Sequence, residues 1–304
     1  MQRPTENGRI NHIKYDERMC TMLIPCSKSE FEKRIDFFYS LATNLTKSGY
    51  PTYCDKIKTK EMFIERSLMA FERDTEEMLL FMYEGEIQGV IQYYTIPDDR
   101  YLGMVAFNIA KATEQALSEF LQYIDEKYAG YETYMGFPCE NRTAVEYLTS
   151  QGFVCIENDF NNTAFPDKIN NLPQHSDIIK IGKENFEKFG FLHSQIEGDI
   201  YWNSERILEN LDEWVVFVKE ENGKPQGAVY YRGLKDNWLE IFGIDIDKDE
   251  YNPTVFKELL ETAVVSAKQR NTEFITFFCE EEYEEITKEC GFLCIGNYLC
   301  FKVR

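Results

Sequence analysis

The sequence predicts an α/β (α+β) chain in which one folding unit is written twice. Three observations carry this. LLFMYEGEIQGVIQYY (79–94) returns as VVFVKEENGKPQGAVYY (215–231), YLGMVAFNI (101–109) as WLEIFGIDI (238–246), and SQGFVCI (150–156) as ECGFLCI (289–295). The order is kept and the step is nearly constant: Gly89 and Gly227 lie 138 residues apart, Leu102 and Leu239 137, Gly152 and Gly291 139. In both halves the apolar spacing switches between alternating and helical in the same succession. A step this long exceeds the roughly 20–50 residues of a solenoid repeat, so it marks a duplicated domain. The copies are expected at 19–165 and 175–304, and an upstream echo, KSEFEKRIDFF (28–38) against KENFEKFGFLH (183–193), extends the match.

The elements follow in order. Residues 1–18 read as a polar arm and MCTMLIP (19–25) as a first strand. Residues 30–47 carry Phe31, Ile35, Phe38, Leu41, Ala42 and Leu45 at helical spacing, stopped by Gly49 and Pro51. A second amphipathic helix spans 59–73, with Thr59 as its N-cap. Two strand-like runs joined by Glu-Gly-Glu form a hairpin, and YLGMVAFNI adds a third strand. ATEQALSEFLQYIDEKY is a helix with Leu117, Leu121 and Ile124 on one stripe. YETYMGF is a strand, ENRTAVEYLTSQ a helix closed by Gly152, and FVCIEND the start of a last strand. Residues 161–177, rich in Asn and Pro, read as the linker. The second copy repeats the order, with a hairpin over Asn222-Gly223, a helix entered at Pro253, and FLCIGNYLCFKV as two final strands around Gly296-Asn297.

Composition narrows the function classes. With 304 residues, 43% of them hydrophobic, each copy can bury its own core. A formal charge of -20 speaks against nucleic-acid binding, which needs basic neutralisation. It favours cationic partners by weak long-range attraction, and it also simply keeps a protein soluble. No apolar run approaches the roughly 20 residues of a membrane span, and the polar N-terminus is not that of a secreted chain. The nine cysteines show no CxxC and no metal-ligand spacing. We therefore expect reduced thiols, a cytoplasmic location, no metal, and a monomer or homodimer. Cys155, Cys279, Cys294 and Cys300 are expected to be buried within strands.

The succession strand, two helices, three-strand meander, helix, strand, helix and closing strands resembles the GNAT superfamily of N-acetyltransferases, here in tandem. The hairpin ending in Gly89 and the run Asn141-x-x-Ala144-x-x-Tyr147 with Gly152-Phe153 after it carry the resemblance. It implies that each domain is a mixed, mostly antiparallel sheet flanked by helices. It also implies acetyl transfer from acetyl-CoA to an amine of a small molecule or peptide by direct attack. On that resemblance Tyr147 is the acid for the CoA thiolate and Asn141 a CoA contact. Phe107, Ile109, Lys111 and Ala112, at the end of the central strand and the turn into the next helix, are the first copy's cofactor seat. The plainer readings are that Tyr147 packs at a helix–sheet contact and Asn141 caps its helix.

Both copies depart from the family's Arg/Gln-x-x-Gly-x-Gly/Ala loop. Residues 110–121 (AKATEQALSEFL) and 247–260 (DKDEYNPTVFKELL) have no glycine. Asp247, Asp249 and Glu250 would repel a pyrophosphate, and Pro253 removes one donor. The first copy is thus the expected CoA site and the second a decayed one, with Glu280 or Glu281 near the Asn position and Ile286 near the Tyr position. No carboxylate lies between Met104 and Ile109, so a base must come from elsewhere: Glu240 of the second copy's central strand, Asp98 or Asp99, or water. The competing reading of Glu240 is a polar residue on the open side of a strand, as it is for Glu84 and Glu86 in their turn. The pairs Tyr93/Tyr94, Tyr230/Tyr231 and Tyr201/Trp202 could line a pocket for a cationic amine or serve as packing. His12, His175 and His193 are far apart and suggest no triad. The alternative function is a non-catalytic tandem protein of this fold that binds another small ligand or a protein.

Overall fold

The structure is a computed structural model that describes residues 21–55, 57–196, 200–235, 237–247 and 252–304. The polar arm, His12, Asp249 and Glu250 lie outside the described residues.

The first copy opens with β1 (Thr21–Pro25) and a helix α1 (Lys28–Glu32) capped by the Ser27 side chain. α2 (Ile35–Ala42) follows, so the helix expected over 30–47 is two short ones broken at Arg34, whose φ of -124° is not helical. The segment does not resume after Ala42 because the Asn44 carboxamide accepts from the Thr46 N–H at 3.0 Å, a local turn that competes with the helix. α3 (Lys60–Leu68) starts at the Thr59 cap. Then come β2 (Glu76–Tyr83), β3 (Glu86–Ile96), β4 (Tyr101–Ile109), α4 (Thr113–Lys127), β5 (Glu132–Phe137), α5 (Arg142–Ser150) and β6 (Val154–Ala164). β6 takes the first four residues of the expected linker, and Asn161, Asn162, Thr163 and Ala164 are buried in the sheet.

The second copy runs β7 (Ile178–Lys180), α6 (Glu187–His193), α7 (Ser204–Glu209), β8 (Trp214–Glu221), β9 (Lys224–Lys235), β10 (Trp238–Ile246), α8 (Pro253–Gln269), β11 (Phe274–Cys279), α9 (Glu284–Glu289) and β12 (Leu293–Lys302). Both hairpins turn on two residues with positive φ, Glu84-Gly85 (53° and 79°) and Asn222-Gly223 (51° and 79°). That geometry matches the twist of the strands it joins. The two final strands expected around Gly296-Asn297 are one continuous strand. The irregularity there is a bulge between Cys294 and Gly296.

All the described strands form one 12-stranded sheet in the order β1-β2-β3-β4-β5-β12-β6-β11-β10-β9-β8-β7. The last strands are exchanged. β12, at the end of the second copy, pairs with β5 of the first, and β6, at the end of the first, pairs with β11 of the second. The two exchanged strands then pair with each other, Asp159 opposite Tyr298. These two residues are 139 apart, the same step as Gly152 and Gly291, so the pseudo-two-fold axis relating the copies passes between them.

Helices α4 and α5 cover one face with Phe107, Phe120, Phe137 and Phe301, and α8 and α9 continue that layer with Leu259, Val264, Phe277 and Phe292. On the other face α1–α3 pack on Leu80 and Val90, and α6–α7 on Val216 and Ala228. No described helix is long and apolar enough to cross a membrane.

Candidate functional site

The central strand of each copy is interrupted at the same place. β4 pairs with β5 in parallel only from Tyr101 to Gly103, and β10 with β11 only from Trp238 to Ile241. Just beyond, β4 bulges at Val105, between the pairs Tyr93↔Met104 and Gln92↔Ala106. β10 bulges at Phe242, between Ile241↔Tyr231 and Gly243↔Tyr230. A bulge bends its strand and re-aims backbone groups. Each copy therefore has two parallel strands that part at a bulge.

In the first copy that parting is bridged by the chain itself. Phe107 and Ile109 are fully buried. The Gly49 N–H donates to the Phe107 carbonyl (2.8 Å), the Ile109 N–H to the Lys47 carbonyl (2.9 Å), and the Tyr50 N–H to Gly136 on β5 (2.9 Å). Asn141 caps α5 through its Oδ1, and its Nδ2 donates to the Ser48 carbonyl at 3.0 Å. Residues 47–50 form a strap that uses the backbone groups of Phe107 and Ile109 and the amide of Asn141. The close approach requires glycine at 49, where a Cβ would meet Met104 Cε at 2.8 Å and Phe107 Cβ at 3.1 Å.

The turn into α4 is different. Ala112 adopts left-handed geometry (φ 58°, ψ 44°), Lys111 is exposed beside it, and no side chain caps the helix. The other described helices of nine residues or more, α3, α5 and α8, are capped by Thr59, Asn141 and Asn252. Tyr147 is half-buried against the first core. The structure thus gathers Phe107, Ile109 and Asn141 around the strap, with Lys111 and Ala112 one turn away, and leaves Glu240 in the other copy.

The second copy's helix start is filled. Asn252 caps α8, Pro253 is its first residue, and Asp247 is buried in an ion pair with Lys224 at 2.9 Å. Glu280 is exposed and Ile286 packs against the core. Deeper in, His193 and Asp245 form a fully buried pair, Nδ1 to Oδ2 at 2.8 Å, and His193 Nε2 lies 2.8 Å from the Trp202 carbonyl. Burial pushes the Asp245 carboxyl up, while His193 and Tyr230 pull it back. Glu240 is half-buried on β10, opposite Arg232 of β9.

The sequence matches no protein-family model and no curated protein. Solved structures do align with the fold. A GCN5-related N-acetyltransferase from Sphaerobacter thermophilus superposes with a TM-score of 0.63 at 10% identity, over 92% of this chain and 94% of that one. A tandem GNAT protein from the clavulanic acid biosynthesis pathway does so at 0.52 and 7% identity, over 92% and 97%. A glucosamine N-acetyltransferase region of a fungal multi-domain GH3 β-N-acetylglucosaminidase gives 0.59 at 10% identity, over 93% of this chain and 38% of that one. The chain has a tandem GNAT fold. At these identities the likeness is one of architecture.

Within this GNAT fold several expectations change. Tyr93, Tyr230 and Tyr231 are core residues, whereas Tyr94 and Tyr201 keep open surface. Cys279 and Cys300 are buried as expected, but Cys155 and Cys294 are exposed, each in the exposed opening stretch of its strand, β6 or β12. Asp99 is committed to an ion pair with Arg206 at 2.6 Å. The His193–Asp245 pair was not visible in the sequence. Its trace is that two positions change between the copies, Phe38 to His193 and Asn108 to Asp245.

Glu240 yields a pH prediction. Burial pushes its carboxyl up to about 7, Glu157 of β6 adds to the shift, and Arg232 of β9 and Lys58 before α3 oppose it. A folded-state value above the unfolded one means that stability falls as pH rises from about 4.5 to 7 and stays lowered above that window. Glu240→Gln is expected to stabilise the protein at pH 8 by about 1–2 kcal/mol after allowing for solvent screening, and by little at pH 4.5. Urea denaturation at both pH values checks this; an equal effect at both would refute it.

Proposed function

We propose that this protein is an N-acetyltransferase in which the first copy seats acetyl-CoA and an amine is acetylated by direct attack. The observation that carries the reading is the start of α4. Its first amides have no side-chain cap, Ala112 holds the tight left-handed turn that a glycine would otherwise make, and Lys111 stands beside it. Free N–H groups at the positive end of a helix suit a phosphate. Acetyl-CoA would supply the thioester. In this reading Tyr147 gives a proton to the departing thiolate and Lys111 neutralises the pyrophosphate. The strap at 47–50 must then give way for a pantetheine arm to run between β4 and β5.

A second reading follows from the strap itself. Its hydrogen bonds to both strands favour a non-catalytic GNAT-fold protein whose cofactor slot is sealed. Thermal melting with acetyl-CoA, against ATP as a polyanion control, separates the two. At a hundred times its dissociation constant a native-state ligand stabilises by about 2.7 kcal/mol. On the enzyme reading acetyl-CoA raises Tm, ATP does not, and Tyr147→Phe lowers kcat with Tm unchanged. No shift at millimolar acetyl-CoA removes the enzyme reading and leaves the sealed one.

A further inference from the structure

On the α1–α3 and α6–α7 side of the sheet, the register lines up a continuous row of side chains across the pseudo-two-fold axis. Tyr94, Tyr101 and Tyr134 stand on β3, β4 and β5, and Tyr298 on β12. Glu157 and Asp159 follow on β6, opposite Cys300 and Tyr298. Glu240 continues the same face on β10, in line with Thr276 and Thr163. All seven of the tyrosines and acids in this row keep surface open to solvent.

The row is bracketed by contacts between the copies. Lys58 Nζ lies 5.8 Å from the Trp238 ring, and Asp99 holds Arg206 and, at 2.8 Å, the Tyr201 hydroxyl. The tyrosines form a wall: Tyr101 stacks on Tyr134 with centroids 5.2 Å apart, and Tyr94 is 5.9 Å from Tyr101. Closer to the axis, Tyr50 meets Tyr298 at 4.8 Å.

The acids here lack the cationic partners that several other acids of the molecule have. Buried Glu76 takes Arg66 and Arg73, Glu77 takes Lys127, and Asp55 takes Lys58. Among the described residues Glu157, Asp159 and Glu240 have no ion pair and no side-chain hydrogen bond. A second, independent sign lies on the same strand and face. Asn161 and Thr163 are 4% and 0% exposed, and Asn161 Oδ1 and Thr163 Oγ1 have no partner. Buried polar atoms without partners are rare in folded proteins, and each calls for a ligand or water to satisfy it.

We propose that this face is a binding site for a linear polyammonium ligand, held between the tyrosine wall and the unpaired carboxylates of β6 and β10. Ammonium groups fit both surfaces, by attraction to the ring faces and by charge-assisted hydrogen bonds to the acids. More than one cationic centre is needed because β6 and β10 are two strand spacings apart, about 10 Å. The overall charge of -20 would speed the approach of such a ligand. Burial pushes the Glu157 carboxyl up to about 6, with Asp159 adding to it. The site stands independently of acetyl transfer.

The test is calorimetric titration of the full chain with spermine, without acetyl-CoA, at fixed ionic strength, with magnesium as a control for charge alone. We expect one spermine per chain. Glu157→Gln and Glu240→Gln should each weaken it about tenfold, the loss of one charge-assisted hydrogen bond. Tyr101→Leu should weaken it several-fold, and Glu32→Gln, an exposed acid on α1, should leave it unchanged. Since neither glutamate has an ion pair or side-chain hydrogen bond to lose, melting curves of their variants should show intact folds. Absence of spermine binding at millimolar concentration overturns the proposal. So does binding that both glutamine variants leave unmoved, or that magnesium matches. Because acetyl-CoA is left out, failure here and failure of the acetyltransferase reading are separate results.

Discussion

Phe301→Ala is expected to destabilise the first copy strongly, although residue 301 lies in the second copy's last strand. Phe301 is 2% exposed and belongs to the core built by α4, α5 and the first-copy strands. Its strand puts it opposite Met135 of β5. Truncating a buried phenylalanine costs about 3–5 kcal/mol through lost burial and the cavity left behind. That is a large part of a typical total stability of about 5–15 kcal/mol. Denaturant titration gives the size, and hydrogen exchange gives the place: amides of β5 and α4 should lose protection at least as much as those of α8. Loss confined to the second copy would show that the exchanged pairing is wrong.

The second large effect is expected at His193. Both ring nitrogens face acceptors, Asp245 on one side and the Trp202 carbonyl on the other. The Nε2 proton goes to the carbonyl, and a second proton is shared between Nδ1 and the carboxyl. His193→Phe keeps the stack on Phe189, now 4.9 Å between centroids, but strands the acid. Removing one member of a buried charged pair costs about 3–5 kcal/mol. The sign with pH follows from Asp245, whose folded value is already raised by burial and rises further once the histidine that lowers it is gone. The cost therefore grows as pH rises and shrinks as pH falls towards the unfolded carboxylate range. Urea denaturation at pH 5 and 8 should show the variant far weaker at pH 8. The double variant His193→Phe with Asp245→Asn should recover much of the loss. It recreates the first copy, where the repeat places Phe38 and Asn108 at the equivalent positions, both buried. A cost that is equal at both pH values, or no recovery in the double variant, would refute the account.

How far the sequence could be read follows from what kind of information each feature needs. The hairpins over Gly85 and Gly223, the apolar stripe of α4 and the Gly152 stop are local, and local pattern revealed them. The exchanged strands are not local. Alternation marks β6 and β12 as strands but does not name their neighbours, and FVCI and FLCI are near-copies that would fit either edge. Asn161 and Asn162 read as linker because asparagine favours turns. In the sheet their strand is paired on both sides, which outweighs propensity. The strap at 47–50 works through backbone groups, which carry no side-chain signature. The unpaired acids were visible only as charge, since their lack of partners is a fact of three-dimensional neighbourhood.

The exchanged strands also set a timetable for synthesis. The open edge of β5 finds its neighbour only when β12 leaves the ribosome, over 150 residues later. At about 5–20 residues per second that is a wait of roughly 8–30 s. During it the first half carries an unpaired edge and an unfilled core, the state in which chains join wrongly to one another. β12 thus completes a domain begun more than 250 residues earlier, and a nascent chain that has not yet reached it leaves the edge of β5 open.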